Sequence, residues 1–477
     1  IGTWAEQYVS AQQMPGIVVT VAHKGKTVYN EAFGTYSIDT ILAMQEMGQS
    51  IIAAAFLTLV ESNEIDISLD DPVSKYIPSF AEFRVLKMPA TRKGTAYATD
   101  PLDEPILIKH LLNHTWGFPA GRPYHSNDSA IKTLDVQAQT ICNKLLQSDN
   151  NDVTQNIIEK EMVKIPLLYQ PGNGFRKSHG MEVISYIITK VTGKPLDVFV
   201  KERILQPLNM LDTDWVVQDE KMERTTEQHL AVPAYTGTFG LYLTGEDEGH
   251  TSWLGWRTSP TKRLPPSKSS RSNSTQRLSV NGICSTASDM MKFQAFLSNN
   301  NNTNNNNNNN TNQRRKILSN EMKLLMIEAD TVNGKLSNPD FNTHSKDKGS
   351  SAGFHPNLGL NSPGQTVGLG GFSIIKDPAT SNLAGSKNTY SYLGDLGTEY
   401  WNDPVQEIQV FFGTQVAPFH AFPQIRQELA AIVYGSLLPP SAAQFFKPPN
   451  EQPQSTMMNT MMNMMLYMMM FMPMGAM

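Results

Sequence analysis

The sequence predicts an α+β fold, with strands at both ends of the chain and a mostly helical middle. Three observations carry this. Residues 16–33, GIVVTVAHKGKTVYNEAF, read as two strands rich in β-branched residues around a turn at Lys24 and Gly25. The run Ile51 to Val60 is apolar on every side, which marks a helix enclosed by other elements. Late in the chain, 368–376, 399–403 and 408–416 again read as strands, and 421–434 as a last helix.

Between these anchors the elements follow in order. Residues 3–14 predict a short helix that runs into Pro15 and Gly16. After the apolar helix, 67–80 is a loop broken by Pro72 and Pro78, with Asp70 and Asp71 as turn and capping residues. The segment ILIKHLLNHTWGF from Ile106 predicts a helix ending at Gly117, with His110 and His114 four residues apart. Metal sites use that spacing, but no third ligand accompanies it here, so no metal is predicted. Helices over 181–191 and 196–207 flank Gly193 as a C-cap. Residues 253–276, rich in Ser, Pro, Arg and Lys, read as an exposed loop, and Ser285 to Asp289 cap a helix reaching Leu297.

Asn299 to Asn312 is almost pure asparagine and is expected to be a disordered insertion within one domain, because fold signals resume at Lys316. A Pro-rich linker over 439–453 leads to a methionine-rich tail, Met457 to Met477. Thioether clusters bind Cu(I), but low complexity after such a linker reads as disorder, and no cofactor is predicted. The resulting division is one domain over 1–440 and a tail over 441–477.

A net charge of −5 offers no basic surface for nucleic acid. Cys142 and Cys284, the only cysteines, form neither a disulfide framework nor a CxxC motif and read as two reduced, partly buried thiols. No run of about 20 apolar residues predicts a membrane span. The chain starts at Ile1, which leaves room for a removed leader; a cytoplasmic place is the expectation.

Segments in a particular order then make a specific likeness. DTILAMQEMGQSIIAAAFLTLVE (39–61), LDDPVSKYIPSF (69–80), ILIKHLLNHTWGF (106–118), YQPGNGFRKSHG (169–180), VTGKPLDVFVKERILQPLNMLDT (191–213), GICSTASDMMKF (282–293) and YLGDLGTEYWNDP (392–404) resemble the class C β-lactamase and penicillin-binding-protein-like serine hydrolases. The resemblance implies a β-lactamase-like fold: an antiparallel sheet drawn from both chain ends (about 1–45 and 280–435), flanked by helices, and a helical part (about 46–279). It also implies where catalysis would sit. The family carries a nucleophilic serine and, three residues on, a lysine at the start of the buried helix; Glu46 and Gln49 stand there. A serine hydroxyl needs a neighbouring base, and residues three apart on a helix supply that geometry. Glutamate and glutamine keep the spacing without the reactivity.

The family's second motif has a tyrosine where Lys177 stands, followed here by Ser178 and His179. With an unperturbed pKa of about 10.4, a lysine requires strong desolvation or a nearby cation to act as a base at pH 7. The third motif aligns with Tyr392, Leu393 and Gly394. Gly394 is expected to let a ligand approach the backbone, with N–H groups of this strand as part of an oxyanion hole. Leu393 and Asp395 are expected to narrow the cleft and repel carboxylates. Since the resemblance places Glu46, Gln49 and Lys177 together, a Glu46–Lys177 ion pair is expected, with Gln49 bonded to one of them. The other nucleophile candidates are Ser50 and Ser178.

The expected function is a catalytically inactive, β-lactamase-related binding or scaffold protein that takes a small acyl ligand or peptide in a residual cleft. The alternative is an active esterase or amidase with a displaced nucleophile, or with an erroneous sequence over 36–50, where the stretch between Gly34 and Asp39 is short for the family.

Overall fold

The computed structural model describes residues 1–11, 13–87, 92–93, 96–121, 128–147, 151–226, 229–233, 239–243, 282–298, 317–328, 364–381, 383–394, 396–417 and 424–439. The expectations for 253–276, the asparagine tract, Lys316, Asp395 and the 441–477 tail fall outside these residues.

The strands that frame the site are β1 (Gly16–His23), β2 (Lys26–Gly34), β3 (Leu42–Ala43), β4 (Cys284–Ser285), β5 (Gln365–Val367), β6 (Ser373–Ile375), β7 (Tyr390–Leu393), β8 (Thr398–Asp403) and β9 (Ile408–Gly413). Seven of them make one sheet in the order β5-β6-β7-β8-β9-β1-β2, antiparallel throughout. The pairing of β1 with β9, from Val18 opposite Gly413 to His23 opposite Ile408, joins the two ends of the chain. β1 and β2 turn tightly at Lys24 (φ 52°) and Gly25 (φ 73°), the left-handed pair that a two-residue hairpin requires.

Alternation along the strands sorts side chains to two faces. Ile17, Val19, Val21, Trp401, Val410 and Phe412 pack against the helices α1 (Gly2–Ser10) and, last in the described chain, α9 (Ile425–Leu437). The Trp4 indole and Tyr8 hydroxyl both donate to Glu428 Oε2, at 2.7 and 2.8 Å, which ties these terminal helices together. The opposite face, with Val18, Tyr390, Tyr392, Tyr400 and Phe411, meets α2 (Gly48–Ser62) and the helical part of the chain. Every residue of α2 from Gly48 to Leu59 is buried, as its all-round apolar sequence requires. Helices α3 (Ile108–Leu112), α4 (Ser129–Gln147), α5 (Gly180–Thr192), α6 (Leu196–Val200), α7 (Ala287–Ser298) and α8 (Asn320–Ile327) complete the part used below. Among the described residues no helix is long and apolar enough to cross a membrane.

Three expectations change. The stretch 368–376 is only part strand: Gly370 and Gly371 (φ 83° and 85°) reverse the chain between β5 and β6, and the strand is Ser373–Ile375. The helix expected up to Gly117 stops at Leu112; Asn113 Oδ1 accepts the Thr115 N–H (3.2 Å) and hydroxyl (2.6 Å), and His114 is left-handed at φ 58°. Within the expected capping segment of α7, Thr286 Oγ1 accepts the Asp289 N–H at 3.3 Å and Ser285 bonds Thr213. The first helix ends at Ser10, four residues short of Met14.

Gln415 clasps β3. Its side-chain oxygen accepts the Ala43 N–H and its amide donates to the Ala43 carbonyl, both at 3.2 Å, so a side chain substitutes for a neighbouring strand. Gln415→Ala would leave two buried backbone groups without these partners, at about 1–3 kcal/mol each. The expected result in urea denaturation is a lower midpoint with an unchanged slope.

Candidate functional site

The site forms where β3 runs into α2. β3 pairs with β4, Ala43 opposite Cys284, and the Met44 N–H donates to the Ile283 carbonyl at 2.9 Å. Gln45 is then left-handed, with φ 49°, a conformation that costs a non-glycine residue roughly 1–2 kcal/mol. This kink and a single 3₁₀ turn over Gln45–Met47 place Glu46 directly below the start of α2. Glu46 is 1% exposed and Gln49 4% exposed.

Gln49 Oε1 accepts a hydrogen bond from the Tyr392 hydroxyl at 3.0 Å. Lys177 Nζ stands 5.1 Å from the centroid of the same tyrosine ring. A cation in that position over a phenol is stabilised by about 0.5–2 kcal/mol. Gln49 and Lys177 therefore both meet Tyr392. Glu46 and Lys177 each have further interactions within the structure.

The residues around Lys177 diverge. Arg176 turns away to Asp135 on α4, at 2.5 Å in a buried pair, and the Arg176 N–H donates to the His114 carbonyl at 2.9 Å. Ser178 Oγ accepts the Trp116 indole N–H at 2.8 Å. His179 Nδ1 lies 3.4 Å from Glu182 Oε1. Of these four consecutive residues it is Lys177 that has the contact with Tyr392. Ser50 is fully buried; its hydroxyl donates to the Met47 carbonyl at 2.7 Å and accepts from Tyr400 at 3.1 Å. Neither serine sits beside a general base in these contacts.

The third segment departs from expectation in two ways. Leu393 alternates to the other face of the sheet and packs in the cluster with Trp401 and Phe412, so it does not narrow the cleft. Gly394 serves the protein's own backbone: a Cβ there would come within 2.7 Å of the Met44 carbonyl, and its N–H donates to Thr398 O at 2.7 Å. That donor is therefore spent within the hairpin.

Sequence reasoning missed His114 as part of this site, because a helical reading pointed it elsewhere. It is fully buried, its ring lies edge-on to Phe175 at 6.2 Å, and neither ring nitrogen has a well-formed hydrogen bond among the described residues. Any Cβ at Gly371 would lie 3.0 Å from both His114 Nε2 and the Tyr392 hydroxyl, so this glycine keeps the two rings in reach of one another. Burial, then the positive charges of Lys177 and His179, push the imidazole down to about 3, with the Ser178 backbone offsetting part of this. His110 does not join His114: it accepts the Leu107 N–H at 3.2 Å at the start of α3. Among the described residues no group of three or more His, Cys, Asp or Glu has a metal-holding arrangement.

The family model that matches this sequence is that of the β-lactamases, over residues 2–434. The chain belongs to the β-lactamase family. Its sequence is similar to esterase EstB of Burkholderia gladioli, 26% identical over 243 residues, which covers 49% of this chain and 53% of the esterase. It is also similar to lovastatin esterase of Penicillium rubens, 26% identical over 268 residues, 48% of this chain and 61% of that enzyme. The chain thus matches little more than half the length of these two relatives. In structure it resembles simvastatin synthase of Aspergillus terreus, with a TM-score of 0.61 and 16% identity over 94% of this chain and 95% of that one. The hydrolase EstCE1 gives a TM-score of 0.61 at 19% identity, over 88% and 93%. These likenesses establish the β-lactamase-like fold.

His114 makes stability depend on acid. Its folded value lies below the unfolded 6.5, so between these values the unfolded chain binds more protons. The contribution is fully present above pH 6.5 and is lost as the pH falls toward 3. His110, lowered to about 4 by burial and then Lys109, acts in the same direction. His114→Leu is expected to flatten the fall in urea midpoint between pH 7 and pH 4, leaving the smaller part due to His110. An unchanged slope would contradict a neutral, desolvated His114.

Proposed function

We propose that this chain is a non-catalytic member of the β-lactamase family that works as a binding or scaffold protein, with a small acyl ligand or a peptide in the remaining cleft. The single observation that carries the reading is the contact of Gln49 with Tyr392 at the start of α2. In the resemblance, position 49 belongs to the lysine that activates the nucleophile. A carboxamide has no titratable lone pair, and here its oxygen is occupied by a phenol. Position 46 holds a carboxylate, a poor acyl acceptor, and position 177 holds a lysine set against an aromatic ring. Acyl transfer needs a nucleophile within hydrogen-bond reach of a base, and this trio contains none. Ser50 and Ser178, the other candidates, have hydroxyls committed to Met47, Tyr400 and Trp116. The named relatives are esterases, so the reading separates fold from chemistry, which only a site can establish. A cytoplasmic place belongs to the same proposal.

Reconstruction tests it. The triple variant Glu46→Ser, Gln49→Lys, Lys177→Tyr is expected to gain hydrolysis of a p-nitrophenyl ester over the parent chain, by roughly tenfold or more given the usual size of a general-base contribution. Parent turnover that equals or exceeds the variant's, and that falls on Glu46→Ala, would overturn the proposal.

A further inference from the structure

A surface cavity of about 200 Å³ opens between the loop that follows α2 and the segment that leads into α3. None of Glu46, Gln49, Lys177 and Tyr392 lines it. Phe80 and Ile106, both buried, form its inner part, and Leu102 and Pro105 extend the apolar wall outward. Asp103 and Glu104, both exposed, stand at its mouth.

The backbone fixes these walls. The Val73 N–H donates to the Ile106 carbonyl at 2.8 Å and the Ile108 N–H to the Asp71 carbonyl at 3.0 Å, which fastens the two segments together. Gln170 clamps the outer part: its Oε1 accepts the Asp103 N–H and its Nε2 donates to the Pro101 carbonyl, both at 3.0 Å. Phe80 is stacked on Trp116 at 6.2 Å between centroids and lies edge-on to Phe83 at 5.0 Å, so its ring is held in place. The cavity is therefore preformed, as small-molecule sites usually are.

Charge decides what it takes. The lysines nearest in sequence are already used: Lys75 pairs with Asp66 and Asp71, at 3.1 and 3.0 Å, and Lys109 with Asp70 at 2.6 Å. Among the described residues Asp103 and Glu104 belong to no ion pair, so two negative charges border an apolar, partly aromatic cavity. A cation whose charge is wrapped in carbon satisfies both features: the carboxylates attract it, and the walls receive its carbon atoms without stripping a tightly held water shell. An anion is repelled, and a compact, strongly hydrated cation gains nothing from the walls. We propose that this cavity binds a small quaternary ammonium ion, with its carbon atoms against Phe80, Leu102 and Ile106 and its charge facing Asp103 and Glu104.

Choline and its neutral isostere 3,3-dimethyl-1-butanol, which has carbon in place of the nitrogen, separate charge from shape. Each is titrated into the full-length chain, and binding is followed by saturation-transfer NMR on the ligand methyl signal. Choline is expected to saturate with a Kd on the order of 1 mM, and the alcohol to bind roughly tenfold more weakly, the scale of a desolvated cation–aromatic contact. Asp103→Asn with Glu104→Gln is expected to bring choline to the level of the alcohol. Asp219→Asn with Glu220→Gln, which removes the same charge from another exposed turn, is expected to leave choline binding unchanged. Equal affinity for the two ligands, a choline signal that does not saturate, or the same loss in both double variants would overturn the proposal. All four substituted side chains are exposed, so the variants keep the fold, and the comparison of ligands on the parent chain needs no variant.

Discussion

An enclosed helix carries two adjacent polar side chains, and the sheet supplies both with tyrosines. Gln49 and Ser50 are buried on α2, so each needs a hydrogen-bond partner inside the protein or loses about 1–3 kcal/mol. Tyr392 bonds the first and Tyr400 the second. These tyrosines are directly opposite one another on β7 and β8. The register of the strand pair is therefore coupled to the helix, because a one-residue slip would turn both rings to the other face. Phe372, edge-on to Tyr392 at 5.6 Å, packs against the same rings and holds the hairpin of Gly370 and Gly371 near them.

The same arrangement determines what the site can do. On the proposed non-catalytic reading, fixed donors and acceptors stand where a hydrolase of this fold needs a mobile proton between a hydroxyl and an amine. Lys177 sits over the Tyr392 ring, and its neighbours in sequence anchor the loop elsewhere: Arg176 in a buried pair with Asp135, Ser178 on Trp116. Removing one partner of such a buried pair typically costs about 3–5 kcal/mol, so the loop is held firmly. His114 stays neutral beneath it because desolvation and two adjacent cations disfavour its charged form. The left-handed Gln45 stands at the head of α2, where backbone strain is held by the elements around it.

Local features were legible in the sequence, and tertiary ones were not. The β1–β2 hairpin followed from alternation around a two-residue turn, and α2 from a run with no polar face. The segments in family order gave the β-lactamase-like fold. The reversals at His114 and at Gly370–Gly371 escaped a local reading, since each depends on contacts far along the chain: Gly370 N–H donates to the Leu112 carbonyl. Leu393 looked like a cleft residue until the pleat assigned it to the opposite face. The positions Glu46, Gln49, Lys177 and Tyr392 came from the resemblance. What they do to one another came from the geometry, in which Gln49 and Lys177 both contact Tyr392.

The central claim is that no side chain of the parent protein is a competent acyl nucleophile. Incubation with a fluorophosphonate and a β-lactam, followed by intact-mass and peptide mass spectrometry, tests it most directly. The account predicts an unmodified chain. A stoichiometric adduct on Ser50, on Ser178 or on any other serine would contradict it.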